Sequence, residues 1–197
     1  MTDSRSRLRR VLLWLIPVVL LLTACGEPEW RTKDISNLMP SLAFELTSET
    51  GEAVTAERYR GQVVLMFFGF THCPDICPVT LGRLKAVLGQ LDDDAEDVTV
   101  LFVTVDPKRD DLKALRQYTS AFGEEFVGLR GDRQALDTLT KRYRVTYGYG
   151  EPDASGNYSV SHSSAVFAFD RQGDARLLIR DSDPMEAVVA DVRRLVQ

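Results

Sequence analysis

Two cysteines three residues apart, Cys73 and Cys77, are the side chains of this sequence best suited to chemistry. The pentapeptide Cys73-Pro74-Asp75-Ile76-Cys77 follows the apolar run Val63 to Phe70 and precedes a helical pattern that begins at Pro78. Proline has a fixed φ and no N–H, so it suits a first helical position and biases the residue before it away from helical backbone. Cys77 is therefore expected where an N-cap sits, with the helix dipole favouring its thiolate. Thiolates bind soft metals or attack disulfides, so the pair is either a metal site or a redox couple. The third intervening residue widens the pair, which suits two bonds of about 2.3 Å to one ion more than a tight reversible disulfide. Pro74 and Pro78 stiffen the loop and reduce the freedom lost when the sulfurs converge. Two such ligands favour Cu(I), with Zn(II) next, and call for a third donor.

The elements that must position those donors follow from the apolar pattern. Strands are expected near Leu42 to Leu46, at Val63 to Phe70, at Val98 to Val105 and around Val127 to Leu129. Between them fall helices Pro78 to Leu91, with Leu81, Leu84, Val87, Leu88 and Leu91 on one face, Leu112 to Phe122, and Arg133 to Arg144. Apolar spacings of three and four support the helices, and the β-then-α alternation predicts an α/β domain. Thr146 to Asn157, rich in Gly, Tyr and turn residues, reads as a projecting loop or hairpin. Strands Ala165 to Phe169 and Ala175 to Ile179 then flank the hairpin signal Asp170-Arg171-Gln172-Gly173. A final helix is expected with Asp183 as N-cap, Pro184 at its first position and Glu186 three residues after the cap. A ββ hairpin and helix after βαβ predicts a thioredoxin-like fold, a mixed central sheet flanked by helices.

The sequence holds only two histidines, His72 and His162. His72 abuts Cys73, and neighbours at a strand end point to opposite faces, so one of them would have to turn away. His162 ends the projecting loop, just before a strand expected beside the one that leads to the cysteines. That makes His162 the better third ligand.

The amino terminus reads as an address. Arg5, Arg7, Arg9 and Arg10 precede the apolar run Val11 to Leu22, and Leu22-Thr23-Ala24 leads into Cys25. This is a signal-peptide layout over residues 1–24, and the quartet resembles the bacterial lipobox, in which cleavage leaves a lipid-bearing cysteine. The apolar run is short for a bilayer about 30 Å thick. Residues 25–37 are then the lipidated Cys25 and a tether, residues 38–197 the domain. An extracytoplasmic protein follows, on the periplasmic face and held to the bacterial membrane by lipid. Net charge moves from −5 to −8 on losing four Arg and Asp3, an acidic balance that argues against nucleic acid as a partner. With Cys25 lipidated, Cys73 and Cys77 are each other's only intramolecular partner, outside the reducing cytoplasm.

Three segments carry a resemblance. The runs Gly69-Phe70-Thr71-His72-Cys73-Pro74-Asp75-Ile76-Cys77-Pro78, Val103-Thr104-Val105-Asp106-Pro107-Lys108-Arg109-Asp110 and Tyr158-Ser159-Val160-Ser161-His162-Ser163 resemble the Sco/SenC family in order and spacing, over about residues 38 to 197. The resemblance implies a membrane-tethered, thioredoxin-like copper protein that helps assemble the CuA centre of cytochrome c oxidase; a monomer is expected. It implies copper ligands at Cys73, Cys77 and His162, an upstream copper donor, and an acceptor in the oxidase subunit that carries CuA. The family commonly has Asp before the histidine, whereas this chain has Ser161, which changes the charge around the ligand without removing it. Asp75, Asp106 and Ser161 are the candidates to surround the ligands. Asp106-Pro107 and Arg109-Asp110 read first as a turn and N-cap of the next helix, and second as contacts to copper.

Other chemistries use the same residues. Cys73 and Cys77 would serve a thiol-disulfide oxidoreductase that reduces acceptor cysteines, or a sensor of copper or redox state. Thioredoxin-type enzymes face their cysteines with a cis-proline, and no proline lies between Pro152 and Pro184. A peroxidase would use Thr71 beside a reactive cysteine, together with a distant arginine that no motif identifies.

Overall fold

The computed structural model describes residues 29–197, so the signal segment and Cys25 lie outside the described residues. Arg31–Gln197 forms one compact unit. Ten strands occur among the described residues: β1 (Lys33–Asp34), β2 (Glu45–Ser48), β3 (Ala53–Thr55), β4 (Val63–Gly69), β5 (Val98–Thr104), β6 (Phe126–Arg130), β7 (Tyr147–Tyr149), β8 (Val160–His162), β9 (Val166–Phe169) and β10 (Ala175–Ile179). The helices are α1 (Ile76–Leu88), α2 (Leu112–Thr119), α3 (Arg133–Arg142) and α4 (Met185–Val196). Eight strands form the central sheet in the order β1-β10-β9-β4-β5-β6-β2-β3, and β7 pairs with β8 in a separate hairpin.

The middle strands are parallel, β4 with β5 and β5 with β6, whereas β9 joins β4 antiparallel. This is the thioredoxin-like mixed sheet read from the sequence. Every residue of β4 and β5 is buried, as expected for strands covered on both faces. Side chains alternate across β4. Val64, Met66 and Phe68 join Leu101, Val103, Leu136, Leu139 and Tyr143 in one core layer. Phe67 points to the other face and packs on Phe102, which in turn packs on Tyr118 of α2. Gly69 ends β4 on that second face, where α1 begins.

Three local expectations change. Helix α1 starts at Ile76 with Asp75 as N-cap, so Cys77 lies inside the first turn. Pro78 is tolerated one residue later because first-turn N–H groups lack intrahelical partners anyway. Helix α4 starts at Met185 with Pro184 as N-cap. The Asp183 carboxylate instead accepts from Arg180 N (2.8 Å) and Arg180 Nη2 (2.8 Å), tying down the turn before the helix. Finally, residues 31–37, read as tether, are folded against the domain. Strand β1 pairs with β10, Ile35 is buried, and Asp191 of α4 accepts from Thr32 N (2.7 Å), Thr32 Oγ1 (2.8 Å) and Arg31 N (3.1 Å). A polar segment without periodicity gives no local sign that a buried carboxylate 159 residues away will bind it.

Candidate metal centre

Cys73, Cys77 and His162 converge where β4 meets α1. Their donor atoms all lie within 4.8 Å of one another. Cys77 is delivered by the first turn of α1, and His162 by the end of β8 immediately before β9. Because β9 pairs with β4, with Phe67 opposite Val166, the histidine returns to the strand that leads into the cysteine loop.

The His162 ring is wedged edge-on between Phe67 (5.8 Å between centroids, 73°) and Phe70 (5.7 Å, 86°). Its Nδ1 lies 2.9 Å from the Ser163 carbonyl oxygen. A carbonyl only accepts, so Nδ1 carries the proton and Nε2 keeps its lone pair. That lone pair faces Cys77 Sγ at 3.3 Å. The thiol can donate to it, and on losing its proton leaves both atoms free as ligands.

The two sulfurs are unequal, and not as the N-cap expectation had it. Cys73 Sγ accepts from the first-turn N–H of Cys77 at 3.4 Å, so Cys73 is the sulfur that meets the helix start. Cys77 is fully buried. Burial pushes its thiol strongly up, against the lowering effect of a hydrogen bond from the Phe70 N–H. Cys77 therefore stays a thiol at neutral pH until a metal displaces its proton. Both cysteines are free thiols.

These donors fit a soft ion. Ligands bound at about 2.0 to 2.3 Å to one ion lie roughly 3 to 4.6 Å from each other, a range that contains the 3.3 Å between Cys77 Sγ and His162 Nε2. Two sulfurs and an imidazole suit copper or zinc more than Mg²⁺ or Ca²⁺.

Gly69 is what makes room for the buried sulfur. A Cβ there would stand 2.7 Å from Cys77 Sγ and 2.6 Å from Phe102 Cε2. Gly69→Ala is expected to cost about 1–3 kcal/mol through overpacking and to move Cys77 off its line to His162. Urea unfolding with Cys77 alkylation measures both, and wild-type values for the pair would refute the steric role.

The residues around the ligands act through the backbone. Asp110, fully buried, accepts from Thr71 N (2.9 Å), Thr71 Oγ1 (2.6 Å) and Thr104 Oγ1 (2.6 Å), pinning the residues before Cys73 to the end of β5. Asp106, also fully buried, accepts from Tyr158 Oη (2.7 Å) and pairs with Arg109 Nε. Arg109 Nη1 donates to the Tyr158 carbonyl (3.1 Å), and its guanidinium lies over the Tyr158 ring at 3.8 Å. With Tyr149 Oη on the Val105 carbonyl and Tyr147 Oη on Asp137 (2.7 Å), tyrosines moor the hairpin that carries His162. Desolvation and the Asp106 bond push the Tyr158 phenol up to about 12, so it remains a donor at any physiological pH.

Asp106 thus reaches the site through Tyr158. The turn reading of this segment holds, since Arg109 N and Asp110 N both bond the Asp106 carbonyl. The N-cap of α2 is the next residue, Asp111, which accepts from Ala114 N. Asp75 is exposed and its side chain makes no cap bond. Ser161 is exposed, opposite Gly148, and strand alternation turns it away from His162. His72 is exposed, with Nδ1 on Thr71 Oγ1 (3.1 Å) and 3.5 Å from Asp110. Thr71 donates to Asp110, so the hydroxyl a peroxidase would need is directed at a carboxylate. Asp110 as the loop anchor was missed; its one sequence sign was a charged residue within a motif otherwise read as a turn.

Fold and site together define a thioredoxin-like protein with a two-thiol, one-imidazole centre for a soft metal. The chain belongs to the SCO1/SenC family, whose model matches residues 36–197. It is 38% identical over 146 residues to the mitochondrial SCO1 homologue protein of Homo sapiens, covering 73% of this chain and 48% of that one. It is 36% identical over 146 residues to an SCO2-like protein of Rickettsia conorii, covering 73% of this chain and 71% of that one. Among solved structures, copper-bound ScoI of Bradyrhizobium japonicum superposes with a TM-score of 0.71 at 34% identity, covering 79% of this chain and 99% of that one. The chain thus spans about half of the human relative's length.

Proposed function

We propose that the protein is a copper-binding assembly factor. It holds Cu(I), and also Cu(II), on Cys73, Cys77 and His162, and passes it by ligand exchange to the subunit of cytochrome c oxidase that carries CuA. The observation that carries this reading is the meeting of two thiols of one loop with an imidazole 85 residues away, whose lone pair already faces a buried thiol. The copper-bound Bradyrhizobium japonicum relative supports the choice of metal, and the family resemblance of the motifs supports the acceptor. Cys73 is half-buried while Cys77 is buried, so the outer sulfur is the one an acceptor thiolate meets first. Lipid on Cys25 would hold the domain at the periplasmic face of the membrane as a monomer, supplied by a separate copper donor. Among the described residues no helix is long and apolar enough to cross a membrane.

The test is an anaerobic Cu(I) titration of the reduced full chain against a chromophoric chelator, followed by mixing with the CuA-bearing oxidase domain. One tight equivalent that moves to the acceptor is expected. Uptake of none, with reduction of an acceptor disulfide in its place, would sink the copper reading and favour thiol-disulfide exchange by the same cysteines.

A further inference from the structure

Packed on Phe102, the ring that neighbours Cys77, is a residue whose polar atom the ligand set does not use. Tyr118 sits near the C-terminal end of α2, with its ring on Phe102 (5.2 Å between centroids, 40°) and on Phe122 (5.6 Å, 66°). Phe102 is the ring whose edge, together with Cys77 Sγ, fills the space at Gly69. The Tyr118 hydroxyl is closed off from solvent and has no hydrogen-bond partner among the described residues. Burial first, and then the proximity of Cys77, Cys73 and Asp110, opposes its ionisation. The hydroxyl is therefore a protonated donor within electrostatic reach of both sulfurs.

A buried hydroxyl without a partner is costly and uncommon in folded proteins, so one that persists calls for a reason. A neutral thiol is a weak acceptor, whereas a thiolate is a charged and strong one. In the metal-free protein the Cys77 sulfur is buried, receives the Phe70 N–H and faces His162. Nothing in that state draws the phenol. Deprotonation of Cys77 on metal binding creates a strong, charged acceptor next to Phe102, the ring on which Tyr118 packs.

We propose that Tyr118 is a positioning residue whose hydroxyl donates a hydrogen bond to the Cys77 thiolate once copper binding has displaced the thiol protons to solvent. The assignment rests on the copper reading of the site. It makes Cys77 a thiolate with two protein donors, the Phe70 N–H and the Tyr118 O–H. Hydrogen bonds to a ligating sulfur hold it in place and withdraw charge from it, and losing such a partner typically weakens metal binding about 10- to 100-fold. It also assigns the unpaired hydroxyl a cost in the metal-free state that is relieved on loading.

The experiment compares the full chain with Tyr118→Phe, which keeps the ring contacts with Phe102 and Phe122 and removes only the oxygen. Expected are a roughly tenfold weaker Cu(I) equivalent, a sulfur-to-Cu(II) charge-transfer band moved to lower energy, and an apo melting temperature equal to or above wild type. Unchanged affinity and an unmoved band would overturn the role. A lower apo melting temperature with the band unmoved would also overturn it, since the hydroxyl would then have a structural partner. The wild-type titration separates the two readings. If wild type takes up no copper, the copper assignment fails and this one with it; if wild type binds and the variant matches it, this one fails alone.

Discussion

Replacing Cys77 with serine is expected to abolish tight Cu(I) binding, and replacing His162 with alanine to weaken it by roughly 100-fold or more, beyond what loss of an outer partner does. A serine oxygen is a hard donor with a pKa far above neutrality, so it neither ionises nor matches a soft ion. At Cys77 the mismatch is greatest because the sulfur is fully buried and no water can replace it. His162→Ala removes the borderline nitrogen and leaves two thiolates, which can still hold Cu(I) as a two-coordinate ion. Cu(II) favours imidazole, so its binding should fall further than that of Cu(I) in the same variant. Because burial keeps the Cys77 thiol up, loading must expel its proton, and apparent affinity should climb by about tenfold per pH unit for each proton released. Chelator competition at several pH values reads all of this. Wild-type Cu(I) affinity in Cys77→Ser would dismiss the ligand set outright, and in His162→Ala would dismiss the third ligand.

Asp110→Ala should be the most damaging change that touches no ligand, at about 3–5 kcal/mol of stability. Its carboxylate is fully buried and receives two hydroxyls and one backbone N–H. Alanine removes the acceptor of all three donors and leaves the Thr104 hydroxyl and the Thr71 N–H without it, and hydrogen bonds to charged groups are the strongest of the kind. The loop before Cys73 would then lose its side-chain tie to the end of β5, so copper affinity should fall as well, while Asp110→Asn, which keeps an acceptor oxygen, recovers part of both. Urea denaturation of the apo protein gives the stability change. A loss below about 1 kcal/mol in Asp110→Ala would mean that the loop is held by something other than this carboxylate.

Asp110 also shows where reading the chain as a string runs out. Its place in the motif Asp106-Pro107-Lys108-Arg109-Asp110 was visible, and the turn was rightly expected because the dihedral preferences of Asp and Pro are local. Its partner Thr71 is 39 residues away, and no local preference reports that. Asp106 and Tyr158 meet across 52 residues, and Asp191 and Thr32 across 159. For the same reason the segment before residue 38 reads as tether, although its Lys33 and Asp34 pair with β10.

The sequence by itself determined the donor types, their loop between strand and helix, and the β-then-α order, and it pointed to His162 before His72 as third donor, because residue chemistry and apolar period are properties of short stretches. Only the tertiary structure decided how the two sulfurs differ. Cys73 meets the helix N–H and Cys77 is buried in the space left by Gly69, since burial depends on what the rest of the chain brings to a point. It likewise decided that Ser161 faces away from His162, that Asp106 meets Tyr158, and that the buried Tyr118 hydroxyl has no hydrogen-bond partner among the described residues.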